Sequence, residues 1–142
     1  MTFIDVHAHV DRCNAAKDSI IGRARKANVG IIVNNGVEKE TNKKTLELSE
    51  KYKEVKAALG IYPLDALKLS DKEIDLEIDF IRKNKDKIVA IGEVGLDMKE
   101  KKEMDRQIKN LSKFIELAKE LDIPIIVHSR KAEILCIEEL EK

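Results

Sequence analysis

Short apolar runs rich in Ile and Val alternate five times with longer charged segments in which apolar residues recur at helical spacing. The runs at 3–10, 30–34, 55–61, 88–94 and 123–128 have the length and β-branched content of strands. The segments between them carry helix signals. Ser70-x-x-Glu73 is a capping box, and Leu69 with Ile74 occupies the two positions of a hydrophobic staple. Ile74, Ile78 and Ile81 then share one helical face, as do Met104, Ile108, Leu111, Ile115 and Ala118 in the following segment. The only prolines, Pro63 and Pro124, fall just after one strand and at the start of another.

Strict alternation predicts an α/β fold: a parallel sheet with right-handed crossovers, in one domain over 1–142 with no linker. Two architectures fit. Five strands in this length suit a flavodoxin-like doubly wound sheet. Strands also begin about every 30 residues, so eight such units would make a (β/α)8 barrel of about 240 residues, close to the typical size. On that reading the chain is a partial TIM-type barrel of five βα units, roughly three short of closure, and a truncated form.

Composition narrows the function classes. Formal charge is zero, from 27 Lys+Arg and 27 Asp+Glu, which disfavours binding of nucleic acid through an overall basic field. An apolar fraction of 43% supplies a core and argues against disorder. No apolar run approaches the roughly 18 residues of a membrane span. Met1-Thr2-Phe3-Ile4-Asp5 lacks the basic start and apolar stretch of a signal peptide. Cys13 and Cys136 form no C-x-x-C pair and read as reduced thiols, which predicts a cytoplasmic protein with no membrane partner.

The first strand carries the candidate chemistry. Alternation puts Ile4, Val6, Ala8 and Val10 on one face, for helices to cover, and Asp5, His7, His9 and Asp11 on the other. Burying such a row costs several kcal/mol unless the groups are paired or hold a cation. Two histidines at i and i+2 can turn ring nitrogens to one ion, with Asp5 or Asp11 orienting a ring from behind. An edge strand with a wet polar face is the alternative. Elsewhere, Glu93 ends an apolar stretch between Gly92 and Gly95, and His128 ends another. All three histidines and Glu93 thus fall toward the carboxyl ends of predicted parallel strands, the edge where such sheets place their chemistry. They make a candidate cation site of three imidazoles and a carboxylate. No G-x-S-x-G, P-loop or G-x-G-x-x-G motif competes with it.

Asp5-Val6-His7-Ala8-His9, Gly92-Glu93-Val94-Gly95-Leu96-Asp97 and Val127-His128-Ser129-Arg130 resemble the motifs of the TatD-type metal-dependent hydrolases, as does Gln107 in the helix before the last strand. D-x-H-x-H alone is shared with dihydroorotase-like amidohydrolases and PHP phosphoesterases. The resemblance implies a TIM-type barrel with one or two divalent ions, Mg, Mn or Zn. His7 and His9 would ligate the first ion, Glu93 would bridge both as the catalytic carboxylate, and His128 would ligate the second. It further implies hydrolysis of phosphodiester bonds by an ion-activated water, with nucleic acid as substrate.

Two departures stand out. The family has G-x-H-P after strand three, where this chain has Gly60-Ile61-Tyr62-Pro63. The family's remaining ligands, on strands six and eight, have no counterpart in these residues. Tyr62 and Arg130 are the candidate substrate contacts, and Asp5 and Asp97 stand behind the ligands. Two other functions stay open: an inactive barrel fragment that binds metal or self-associates through open sheet edges, and hydrolysis of a cyclic amide or another ester. Glu93, where dihydroorotase-like enzymes often use a modified lysine, argues against the amide branch.

Overall fold

The computed structural model describes residues 1–142. Five strands alternate with helices: β1 Phe3–Ala8, α1 Lys17–Lys26, β2 Val29–Asn35, α2 Lys39–Lys51, β3 Val55–Leu59, α3 Pro63–Ala66, α4 Asp71–Lys83, β4 Ile88–Asp97, α5 Met104–Leu121, β5 Ile125–Arg130 and α6 Glu133–Leu140. All strand pairs are parallel, in the spatial order β1-β2-β3-β4-β5. That order decides between the two architectures. A doubly wound sheet reverses its strand order at a switch point, whereas every crossover here moves the same way, as in a barrel wall.

The local signals form where the sequence places them. Ser70 caps α4: its hydroxyl accepts the Glu73 N–H at 3.3 Å, and the Glu73 carboxylate accepts the Ser70 N–H at 2.7 Å. Ile74, Ile78 and Ile81 are buried against the sheet, with Leu111, Phe114 and Ile115 of α5 in the same cluster. This helix-covered core holds 19 buried residues, while the opposite face of the sheet has a cluster of only Val33, Ala58 and Ala90. The outer side of the curved sheet is therefore packed by helices, and its inner side carries only a small apolar cluster beside buried polar groups. No helix is long and apolar enough to cross a membrane.

The first strand departs from expectation in two ways. It stops at Ala8, and Val10–Arg12 form a 3-10 turn, so Asp11 leaves the polar row. The cause is Asn34, whose side-chain oxygen takes the Val10 N–H at 2.6 Å. Ile4 and Val6 are also not covered by helices. They remain 57% and 60% exposed, because β1 is an edge strand and Ile21 of α1 joins Val10 and Ile32 further along.

Strand β4 carries the most consequential irregularity. Its register against β5 slips between Ile91 and Val94, and both of these residues face the helix-covered core. A bulge of this kind reverses the face of the residues beyond it. Glu93 and Asp97 therefore point to the inner side. Gly92 and Gly95 sit at φ +155 and +152, and a Cβ on Gly95 would strike the His128 carbonyl.

Urea unfolding of two variants checks these local features. Ser70→Ala lowers stability by about 1 kcal/mol through loss of the cap. Gly95→Ala lowers it by at least about 2 kcal/mol, from backbone strain plus the clash with β5. An unchanged midpoint for Gly95→Ala contradicts the close approach of the two strands.

Candidate metal centre

His7 Nε2 lies 3.0 Å and His9 Nε2 3.2 Å from Glu93 Oε2. His7 lies in β1, His9 directly follows that strand, and Glu93 lies in β4, three strand spacings away. At about 4.8 Å per spacing, a flat sheet would separate them by about 14 Å. The contact exists because the sheet curls. From the other edge, His128 of β5 brings Nδ1 to 2.9 Å from Glu93 Oε1. One buried carboxylate thus collects imidazoles from both edges of the sheet.

Backbone and amide groups set each ring. His9 Nδ1 is 2.9 Å from the Asn35 carbonyl, which assigns the proton to Nδ1 and turns Nε2 toward Glu93. The turn after His9 is tied down by buried Asn34, whose amide nitrogen donates to Asp11 Oδ1 at 3.0 Å and to Thr45 Oγ1 at 2.7 Å. The His7 N–H donates to Asp5 Oδ1 at 3.1 Å, and the His7 and His9 rings meet edge to face at 5.3 Å.

The far end of the site is built on Asp97, which has no exposed surface. Its Oδ2 accepts the Tyr62 hydroxyl at 2.6 Å and lies 3.4 Å from both His128 Nε2 and Arg130 Nη1. Its Oδ1 accepts the Lys99 N–H at 2.9 Å. Gln107 clamps the Asp97 backbone, accepting its N–H at 2.8 Å and donating to its carbonyl at 3.1 Å.

These surroundings move the acid–base behaviour of the site. Burial disfavours the Glu93 anion, but hydrogen bonds from His9 and His7, with the charge of His7 and His128, outweigh it and hold its pKa down at about 2. Glu93 is therefore an anion at neutral pH. His9 is raised above the ordinary 6.5, first by its hydrogen bond to Glu93 and against the opposing effect of burial. Tyr62 is pushed up to about 12 by burial and by Asp97, so its hydroxyl stays a neutral donor.

The structure brings His7, His9, Glu93 and His128 together, with Asp97, Tyr62 and Arg130 behind His128 and Asp5 behind the His7 backbone. Ligand atoms of His7, His9 and Glu93 all lie within 4.8 Å of one another. Imidazole nitrogens converging on a carboxylate anion are a donor set that fits a divalent ion. Asn34 and Asn35 are the residues that sequence reasoning missed. Their signal was available: two amides ending an apolar run at the same sheet edge as the histidines.

Comparison with known proteins shows the family. Residues 4–142 match the family described as TatD related DNase. An uncharacterized metal-dependent hydrolase of Methanocaldococcus jannaschii is 38% identical over 133 residues, covering 92% of this chain and 52% of that protein. The human deoxyribonuclease TATDN3 is 35% identical over 145 residues, covering 91% and 52%. The crystal structure of the TatD homologue YjjV from Escherichia coli superposes with a TM-score of 0.87 at 34% identity, over 98% of this chain and 55% of that one. The chain spans about half the length of the curated relatives it matches. With the match running from residue 4 to residue 142, and the same run of βα units in space, this protein belongs to the TatD-related DNase family.

Proposed function

We propose that this chain carries the metal site of a hydrolase that cleaves phosphodiester bonds in nucleic acid with one or two divalent ions, Mg²⁺, Mn²⁺ or Zn²⁺. The observation that carries the reading is the convergence of three imidazoles from the two edges of the sheet on the single buried carboxylate of Glu93. The human relative's name, a deoxyribonuclease, supports DNA as the substrate class.

In this reading His7 and His9 hold the first ion, His128 holds the second, and Glu93 faces both positions with its two oxygens. A bound ion would supply Lewis acidity, lowering the pKa of water and neutralising charge that develops on the phosphate oxygens. The remaining work falls to the chain. A carboxylate held at about 2 suits Glu93 to retaining cations and not to taking up protons. Arg130 has a half-exposed guanidinium beside the site and is the group suited to a phosphate oxygen, with Tyr62 beside it walling the approach. Asp5 and Asp97 hold His7 and His128 in place. The free thiols Cys13 and Cys136 support a reducing, cytoplasmic location.

A second reading is favoured by the exposed Phe3, Ile4 and Val6 on edge strand β1: a non-catalytic module that self-associates through its open sheet edges. One set of assays separates the readings. Single-stranded DNA, double-stranded DNA and a cyclic amide are incubated with the protein and each metal. The first reading expects metal-dependent release of nucleotides, reduced at least about 100-fold in His7→Ala and Glu93→Gln. Amide cleavage alone, or DNA cleavage unchanged in both variants, contradicts it. Inactivity together with a concentration-dependent rise in mass by light scattering selects the second.

Metal uptake also depends on pH in a definite direction. A proton and an ion compete for His9, and its raised pKa keeps the proton on to higher pH than in a free histidine. Zn²⁺ affinity measured by equilibrium dialysis is therefore highest on the alkaline side. It falls as the pH drops through the raised His9 pKa, where the proton displaces the ion.

A further inference from the structure

Tyr62 stands where the resemblance calls for histidine, and its surroundings suggest what the phenol does instead. Its backbone is fixed at both ends: the N–H donates to the Val37 carbonyl at 2.8 Å, and its own carbonyl accepts from Asp65 and Ala66 at 3.0 and 2.9 Å. Pro63 comes next, as the first residue of α3. The side chain then reaches across to β4 and β5. Its hydroxyl donates to Asp97 Oδ2 at 2.6 Å and sits 3.4 Å from His128 Nε2. Its ring packs edge to face on the His128 imidazole, with centroids 4.8 Å apart at 67°.

The two nitrogens of His128 consequently face different neighbours. Nε2 is enclosed by Asp97 Oδ2 at 3.4 Å and by the Tyr62 hydroxyl. Nδ1 faces Glu93 Oε1 at 2.9 Å. A carboxylate behind one ring nitrogen keeps the proton there and leaves the other nitrogen free to bind an ion. Asp97 alone is a poor guide for the ring, because its Oδ2 is shared with Arg130. The Tyr62 hydroxyl fixes that oxygen, and the Tyr62 ring blocks rotation of the imidazole.

We propose that Tyr62 is a positioning residue: through Asp97 and by direct packing it holds the Nε2 edge of His128, so that the ring offers Nδ1 to the space beside Glu93. The proposal rests on the reading of His128 as a ligand of the second ion.

The test uses Zn²⁺ alone, with wild type, Tyr62→Phe and His128→Ala. Calorimetric titration gives the number and affinity of ions, and nitrogen-15 NMR of the histidine rings reports which nitrogen is bound. The expected wild-type spectrum with Zn²⁺ has His128 bound through Nδ1 and protonated on Nε2. Tyr62→Phe keeps the first ion at wild-type affinity, weakens the second by about 10- to 100-fold and broadens or splits the His128 signals. Wild-type affinities and an unchanged His128 spectrum in Tyr62→Phe overturn the positioning role while leaving His128 a ligand, provided His128→Ala loses the second ion. Binding in His128→Ala identical to wild type overturns the ligand reading itself. If Tyr62→Phe fails to fold, the wild-type spectrum still decides, since Zn²⁺ on Nε2 of His128 contradicts the proposal outright.

Discussion

An ionised carboxylate is unfavourable inside a protein unless donors or cations surround it. Glu93 is 5% exposed, and its neighbours come from the two edges of the sheet: His7 in β1 with His9 just beyond it, and His128 in β5. To satisfy that one group, the sheet must bend until residues three strands apart meet at hydrogen-bond distance. The curl that makes this a barrel wall and the convergence that makes a site are thus the same geometric fact. The bulge in β4 completes it, because without the slip between Ile91 and Val94 the Glu93 side chain would face the helices.

Around this centre, the polar side chains of the inner rim divide into two supporting groups. On the β1 side, the Asn35 carbonyl sets the His9 ring and the Asn34 amide closes the turn beyond it. On the β5 side, Asp97 backs His128 and is itself clamped by Gln107 from α5 and by Tyr62 at the start of α3. Helices α5 and α3 therefore act on the site through buried hydrogen bonds, although neither carries one of its four central residues. The edges are less complete. Ile4 and Val6 lie open on β1, in a chain that spans about half the length of its relatives.

Much of this was legible in the sequence, and the reasons are physical. Strand and helix identity came from periodicity, and the cap at Ser70 from a local pattern that tertiary contacts had no reason to override. His7, His9, Glu93 and His128 stood out because titratable groups at the ends of apolar strands need a purpose. The alternation alone did not separate barrel from doubly wound sheet, since strand order depends on crossover direction; the motifs' resemblance pointed to the barrel, and the strand order bears it out. The end of β1 was misread because the hydrogen bond that stops it comes from Asn34, 24 residues away in sequence. Asn34 and Asn35 escaped notice for a related reason: an amide acts through its partners, and those partners exist only after the sheet has formed. The Tyr62 side chain, read as a substrate contact, is also engaged with Asp97 and His128, partners that only the folded sheet brings to it.

The central claim is that Glu93 is a cation-holding carboxylate, with His7 and His9 on one side and His128 on the other. Anomalous diffraction from crystals of the chain grown with Zn²⁺ tests it most directly. The account predicts a strong peak within bonding distance of Glu93, His7 and His9, with any second peak between Glu93 and His128. Full Zn²⁺ occupancy at other residues, or an empty site at saturating Zn²⁺ with Glu93 still bound to its three histidines, would contradict it.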